Sequence, residues 1–369
     1  MPFNSQDPYN DLPLLPPPGE FETPAVLRAA IAAHRRLAEL KGSGNLIPNQ
    51  NILLNALTLQ EAQLSSEVEG IITTTDQLFR ALSVDGESVD SHTKEVLRYR
   101  DALWHGVKRM REGRSLATVL YVELVQIIKE NTAAIRKGAG TALANEATGK
   151  VVYTPPVGES VIRDKLANLD HFVHDQTVDP LVSLAICHYQ FEAIHPFSDG
   201  NGRTGRIACI LHLLNHNLLT EPVLYLSRYV IQHKSDYYRL LRNVTEKGLW
   251  EPWILFMLEA VRVTSHSTLT HIRAIEAEMA SFYEEARSKA PRATSKELLE
   301  LLFHRPYCKI QFLVDAGIAK RHTASHYLRE LADAGLLSTV TIGREKLYVN
   351  HRFMTLLTKP YVDEIDTSA

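Results

Sequence analysis

The stretch His195-Pro196-Phe197-Ser198-Asp199-Gly200-Asn201-Gly202-Arg203-Thr204-Gly205-Arg206 restricts the fold of this chain most, because a proline and three glycines stand between two segments of helical pattern. Ahead of it, Leu181, Leu184, Ala185, His188 and Phe191 recur at helical spacing; behind it, Ile207, Ile210, Leu211, Leu214 and Leu218 do so again. The spacing predicts helix, loop, helix. Glycines let backbone N–H groups turn toward a ligand, and the second helix brings its partial positive end to the same place, so the loop is an anion cradle. Arg203 and Arg206 add permanent charge, which favours a polyphosphate held in bidentate fashion. Asp199 has the chemistry to hold Mg2+ against such phosphates, since that ion takes one or two carboxylates plus substrate oxygens.

The rest of the composition narrows the setting. The 369 residues, 45% apolar and 22% charged, suit a globular protein of two or three domains, and a net charge of −3 gives no global pull toward nucleic acid or anionic membrane. No run approaches the roughly 18 apolar residues needed to span a bilayer, and the first residues lack signal-peptide order, so a cytoplasmic location is expected. Cys187, Cys209 and Cys308 are widely spaced and read as reduced core residues rather than a disulfide or metal set.

Residues 1–24 carry seven prolines and read as an extended surface arm. Helices are predicted at 25–40, from about 51 to 68, and through 73–133 with a polar break near Asp85-Gly86. Lys150-Val151-Val152-Tyr153 is a short β-type run ended by Pro155-Pro156, which predicts a hairpin or flap. Helices follow at 160–175, 227–246 and 250–263, then another to Lys289, where Ala290-Pro291-Arg292 breaks the pattern. Residues 294–352 have helix-turn-helix order with two closing β-type runs. His212 and His216, four apart, read as a pair on a helix surface, and His188 as a satisfied core histidine.

Residues 195–206 resemble the signature of the Fic family, His-x-Phe-x-Asp/Glu-Gly-Asn-Gly-Arg-x-x-Arg, with every defining position filled. The resemblance implies a mainly α fold with an all-helical Fic core and a small β-hairpin flap, and the helix order and closing β-type runs after residue 290 read as a C-terminal winged helix-turn-helix. Together they divide the chain into an N-terminal helical segment (1–85), the core (86–263), a connecting helix (264–290) and the winged module (291–369). It also implies a protein adenylyltransferase that moves AMP from ATP to a hydroxyl of a target protein, releases pyrophosphate, uses Mg2+ and can modify itself. By that resemblance His195 is the general base, Asp199 the metal ligand, and Gly200, Asn201 and Gly202 the phosphate cradle. Arg203 and Arg206 hold the terminal phosphates, with Thr204 and Gly205 completing the nucleotide-binding run. Phe197 anchors the loop. Tyr237 and Tyr238 are candidates for packing near the adenine, beside an equally good reading as core. Flap residues such as Val151 could pair by backbone with the target.

Ser65 and Glu69 lie four apart on one face of a helix that stops at Gly70. As residues alone they are a capping or solvent-facing pair. Ser-x-x-x-Glu-Gly, however, resembles the inhibitory helix motif of Fic proteins, which implies that Glu69 pairs with Arg206 and blocks seating of the γ-phosphate. The same glutamate could position water for removal of AMP. In the C-terminal segment Lys320, Arg321, His322, Ser325, His326 and Arg329, with Arg344 and Lys346, make a local positive face. That face leaves two partners open, DNA or a protein surface, the latter including a second copy of the chain as a homodimer. The alternative function is a DNA-binding regulator whose core senses nucleotide.

Overall fold

The computed structural model describes residues 3–43, 50–84, 89–138, 140–144 and 148–358. Five helices come first: α1 (Pro24–Gly42), α2 (Gln50–Val68), α3 (Thr75–Ala81), α4 (Ser91–Arg111) and α5 (Thr118–Lys129). A two-stranded antiparallel hairpin follows, β1 (Leu143–Ala144) with β2 (Val151–Tyr153). Next come α6 (Glu159–Val173), α7 (Pro180–Ile194), α8 (Asn201–Asn215), α9 (Leu226–Gln232), α10 (Lys234–Lys247) and α11 (Trp250–Lys289). After a 3-10 turn at Pro291–Ala293 the chain forms α12 (Lys296–His304), β3 (Tyr307–Cys308), α13 (Ile310–Asp315) and α14 (Arg321–Asp333). It ends in β4 (Ser338–Ile342), β5 (Glu345–Val349) and α15 (His351–Thr358), with the three strands antiparallel in the order β3-β5-β4.

Local chemistry sets these starts. Thr23 caps α1 by accepting from the Val26 N–H, with Pro24 in the first turn; Thr74 and Gln77 form a reciprocal capping box on α3. Asp179 accepts from the Leu181 and Val182 N–H groups at the head of α7. α7 and α8 are buried along most of their lengths, and such all-round burial is what a helix at the centre of a bundle shows. α4 crosses α8 closely at Gly106, where an added Cβ would stand 2.7 Å from Leu211 Cδ1. The N-terminal arm is packed rather than free: Leu12 and Leu15 are buried, and the Tyr9 N–H donates to the Thr154 carbonyl at 3.0 Å.

Several expectations need correction. The two helices predicted on either side of residue 263 are one 40-residue α11, because no glycine or proline interrupts 254–289 and its buried stripe runs on through Val261, Thr264, Thr268 and Ile272. A boundary between 263 and 264 therefore falls inside a helix. Residues 227–246 are two helices meeting at His233, not one. His212 is not on the surface: it is 2% exposed, with Nε2 at 2.9 Å from the Pro180 carbonyl, and its partner His216 caps the end of α8. β3 and α15 were missed, β3 being only two residues long. The polar break at Asp85-Gly86 lies outside the described residues. All three cysteines are buried and free. Among the described residues no helix is long and apolar enough to cross a membrane.

The last elements grip the first ones. Gln60 donates to the Leu357 carbonyl at 2.7 Å, Asn55 to that of His304 at 3.3 Å, and Tyr307 bonds Asp76. α2 is thus held between the α4–α9 bundle and the C-terminal helices. The tight α4–α8 crossing yields a prediction: Gly106→Val overpacks a buried contact and lowers stability by about 1–3 kcal/mol, read from chemical denaturation midpoints.

Candidate functional site

The α7–α8 loop is shaped by its own residues. α7 ends at Ile194, and His195 takes a left-handed conformation (φ 48°, ψ 60°) while its N–H still donates to the Phe191 carbonyl at 3.0 Å. Holding a non-glycine residue there costs about 1–2 kcal/mol, so neighbours must enforce it. Phe197 is sunk in the core beside Phe191. Asn201 closes the loop: its Oδ1 accepts the Phe197 N–H at 2.9 Å and its Nδ2 donates to the Phe197 carbonyl at 2.8 Å. Gly200, at φ 83°, turns the chain into α8, a conformation that suits glycine.

The concavity at the start of α8 contains a carboxylate from elsewhere in the chain. A Cβ on Gly202 would stand 2.3 Å from Glu69 Oε1, so Glu69 reaches the helix N-terminus where an anion is favoured. Arg206, 1% exposed, points to the same place. It donates from Nη2 to Glu69 Oε1 at 2.8 Å and to the Ser65 carbonyl at 2.9 Å, and from Nε to Ser65 Oγ at 2.8 Å. Burial is the strongest single influence on Glu69 and opposes its ionisation, but the charge and hydrogen bond of Arg206, with the Arg203 charge, together hold the carboxyl below the usual range.

One helical turn before Ser65, Glu61 is buried on the same helix within reach of the Arg206 charge. It accepts from Tyr99 OH at 3.0 Å and from the Ser227 N–H at 3.1 Å, and also bonds Ser227 Oγ. Burial pushes Glu61 up to about 7, against the pull of these donors and Arg206. Glu192 is likewise pushed up to about 7 by burial.

A second set of charges surrounds Asp199. Lys129 Nζ lies 2.6 Å from Asp199 Oδ2 and 3.3 Å from Glu95 Oε1, while Arg203 bonds Glu95 and lies 3.6 Å from Asp199 Oδ1. Burial works against ionisation of Asp199, but Lys129 and Arg203 prevail and lower it. His195 is pushed down to about 4, chiefly by burial and further by the Arg136 charge, with the Glu192 carbonyl, Glu69 and Asp199 pulling the other way. At neutral pH its ring is therefore uncharged and able to accept a proton.

Arg136 is the third feature of the loop. Its Nε donates to the His195 carbonyl at 2.7 Å and its Nη2 to the Ile194 carbonyl at 3.1 Å and to that of Pro156, while its own N–H donates to Pro196 at 3.0 Å.

The structure thus brings together His195, Asp199, Gly200, Gly202, Arg203, Arg206, Ser65 and Glu69. It places others elsewhere. Thr204 is fully buried on the inner side of α8, and Gly205 packs on Phe191 and Glu192. Tyr237 is not presented to a ligand: it is 2% exposed, bonds His188 Nε2 through its hydroxyl at 2.8 Å and packs on Trp253, because α10 turns that side of itself inward. Tyr238, next to it, is exposed. His188 is a core histidine, pushed down to about 3 by burial.

Glu61, Glu95, Lys129 and Arg136 escaped the sequence reading. Glu61 was within reach, since Glu61, Ser65 and Glu69 repeat every four residues along α2 and the turn that follows it. Glu95, Lys129 and Arg136 come from segments with no local signature; only the packing of α4, α5 and the following loop joins them to Asp199 and His195.

Known proteins resemble this chain in sequence and fold. Residues 27–108 match the Fic/DOC family N-terminal model, 116–213 the Fic/DOC family model, and 279–353 the model for the C-terminal domain of SoFic-like protein adenylyltransferases. The chain belongs to the Fic/DOC family. It is 28% identical over 145 residues to a protein adenylyltransferase, fic-1, of Caenorhabditis briggsae, covering 38% of this chain and 26% of that one. It is 26% identical over 191 residues to the protein adenylyltransferase Fic of Drosophila mojavensis, covering 50% and 35%. The matched stretches therefore span only a quarter to a third of those relatives. Among solved structures, a Fic family protein from Desulfovibrio desulfuricans G20 superposes with a TM-score of 0.59 at 19% identity, over 90% of this chain and 98% of that one. Fic-1 (residues 134–508) from Caenorhabditis elegans gives 0.52 at 19% identity, over 68% and 75%. These likenesses establish the fold: mainly helical, with small antiparallel sheets.

Glu61 makes the fold pH-sensitive in a definite direction. Its folded value, about 7, exceeds the ordinary glutamate value of 4.5, so the native state holds the proton more tightly than the unfolded chain. The associated stability is complete below the lower value and lost as pH rises through the higher. From about pH 5 to about pH 8 the wild-type denaturation midpoint should fall relative to that of Glu61→Gln, which cannot ionise; parallel curves would contradict this origin.

Proposed function

We propose that the chain is a protein adenylyltransferase that transfers AMP from ATP to a side-chain hydroxyl of a target protein, and that Glu69 restrains it. The observation that supports this most is that the anion site formed by the α8 N-terminus and Arg206 already contains a carboxylate of the same chain. A site that attracts Glu69 this way has the charge and shape to attract a nucleotide phosphate, and the two compete for one guanidinium fork.

In this reading the target hydroxyl oxygen forms a bond to the α-phosphorus of ATP, the bond from that phosphorus to the bridging oxygen breaks, and pyrophosphate leaves. His195, uncharged at neutral pH, takes the hydroxyl proton as general base. Gly200 and Gly202 line the cradle, and Arg206 holds the terminal phosphate once Glu69 withdraws. The donor set fits a magnesium nucleotide: Asp199 offers one exposed carboxylate beside the cradle, and Arg203 Nε is a buried donor with no acceptor among the described residues. Mg2+ held by Asp199 would neutralise charge on the phosphate oxygens. The hairpin β1–β2, close to His195 through Arg136 and Pro156, offers backbone for the target segment.

The same reading separates an N-terminal regulatory segment through α3, a catalytic core from α4 into α11, and a C-terminal module from α12 to α15 of winged-helix type. Release of Glu69 is the decisive perturbation. Glu69→Gly should raise self-modification with labelled ATP by roughly tenfold or more, equivalent to removing about 1.4 kcal/mol of competition. His195→Ala in that background should lower it by about 10²–10⁴-fold while leaving ATP binding in place. Equal labelling of wild type and Glu69→Gly sinks the restraint, and labelling that survives loss of His195 sinks the mechanism.

A further inference from the structure

We propose that Arg136 is a positioning residue that holds His195 in its left-handed conformation and registers it against the base of the β1–β2 hairpin. The inference rests on the adenylyltransferase reading given above. Its starting point is a mismatch between charge and surroundings. Arg136 is 8% exposed, yet among the described residues no carboxylate lies within ion-pair distance of it. A buried guanidinium without a counter-ion is costly, and one that persists is held by what it organises.

All its partners are carbonyls, and they belong to two segments. Nε and Nη2 take the His195 and Ile194 carbonyls, the last two acceptors before the loop turns away from α7. Nη2 also takes the Pro156 carbonyl, three residues past the end of β2. The Arg136 backbone N–H adds the Pro196 carbonyl. One planar fork therefore ties the peptide groups on both sides of His195 to the segment that follows β2, the strand on which a target would seat under the proposed function. Nearby, Tyr153 donates from its hydroxyl to the Ala193 carbonyl at 2.7 Å, a second bond between β2 and the end of α7. A target segment seated on β2 would then meet His195 at a fixed distance. Without the fork, the left-handed residue is free to relax toward an ordinary conformation and carry its ring with it.

The guanidinium has a separable second effect. The charged side chains acting on His195 are Arg136, which disfavours its protonation, and Glu69 and Asp199, which favour it. Lysine at 136 keeps the charge but cannot reproduce a planar fork; methionine loses both.

The test uses the full chain in the Glu69→Gly background. Arg136→Met should lower kcat for self-modification by roughly 10–100-fold, with KM for ATP and calorimetric ATP affinity within about twofold. The acid limb of its kcat/KM profile should move to higher pH. Arg136→Lys should restore the acid limb without restoring kcat, and guanidinium chloride at millimolar levels should recover part of the activity of Arg136→Ala. Unchanged kcat in Arg136→Lys, or ATP affinity falling in step with kcat, overturns the proposal. If Arg136→Met does not fold, Arg136→Lys decides alone. If Glu69→Gly itself transfers no AMP, the functional reading fails, and His195 is followed instead by NMR of ring-labelled protein. Arg136→Lys should then shift or broaden the His195 signal while the distant His212 signal stays put; an unmoved His195 signal overturns the clamp.

Discussion

The pairing of Arg206 with Ser65 and Glu69 is the contact on which the rest of the structure turns. Arg206 is a fully buried cation, and burying it requires that its donors be met. Helix α2 meets them from one face, with Ser65 supplying a hydroxyl and a carbonyl and Glu69 the carboxylate. Behind them Glu61 ties α2 to Tyr99 on α4 and Ser227 on α9. The charge that would hold a phosphate is thus the same one that fastens the N-terminal segment onto the core.

Under the proposed function this arrangement would link stability to regulation. To admit a phosphate at Arg206, Glu69 would have to leave the α8 N-terminus, but Ser65 and Glu61 would not need to move. Such a release would be local, at the turn just past the end of α2, rather than a detachment of the whole helix. The far side of α2 is gripped by the C-terminal elements through Asn55 and Gln60, which resists larger motion. Asp199 differs: it is exposed and, among the described residues, its ion-pair partners are Lys129 and Arg203, so a cation could replace contacts that lie at the surface.

Much of the site was legible because it is contiguous. Twelve residues carry the base, the carboxylate, the glycines and both arginines, and the glycines have positions that the geometry uses, at the turn before α8 and against Glu69. The reading was weaker wherever a role depended on which way a helix faces. His212 read as a surface residue and Tyr237 as either core or ligand-packing, and α8 and α10 turn both inward. The join at residue 263 failed for a related reason: an uninterrupted helix longer than usual has the same periodicity as two shorter ones placed end to end.

The sequence by itself determined the helix-loop-helix at 195–206, the titratable and charged residue types gathered within it, and the four-residue spacing of Ser65 and Glu69, since these depend only on neighbours along the chain. Only the tertiary structure decided that Glu69 lies at Gly202, that Lys129 and Arg203 join Asp199 to Glu95, and that Arg136 spans from Pro156, just past β2, to His195. Those contacts join residues 20 to 137 positions apart, and they arise where helices and a hairpin pack, which no local pattern encodes.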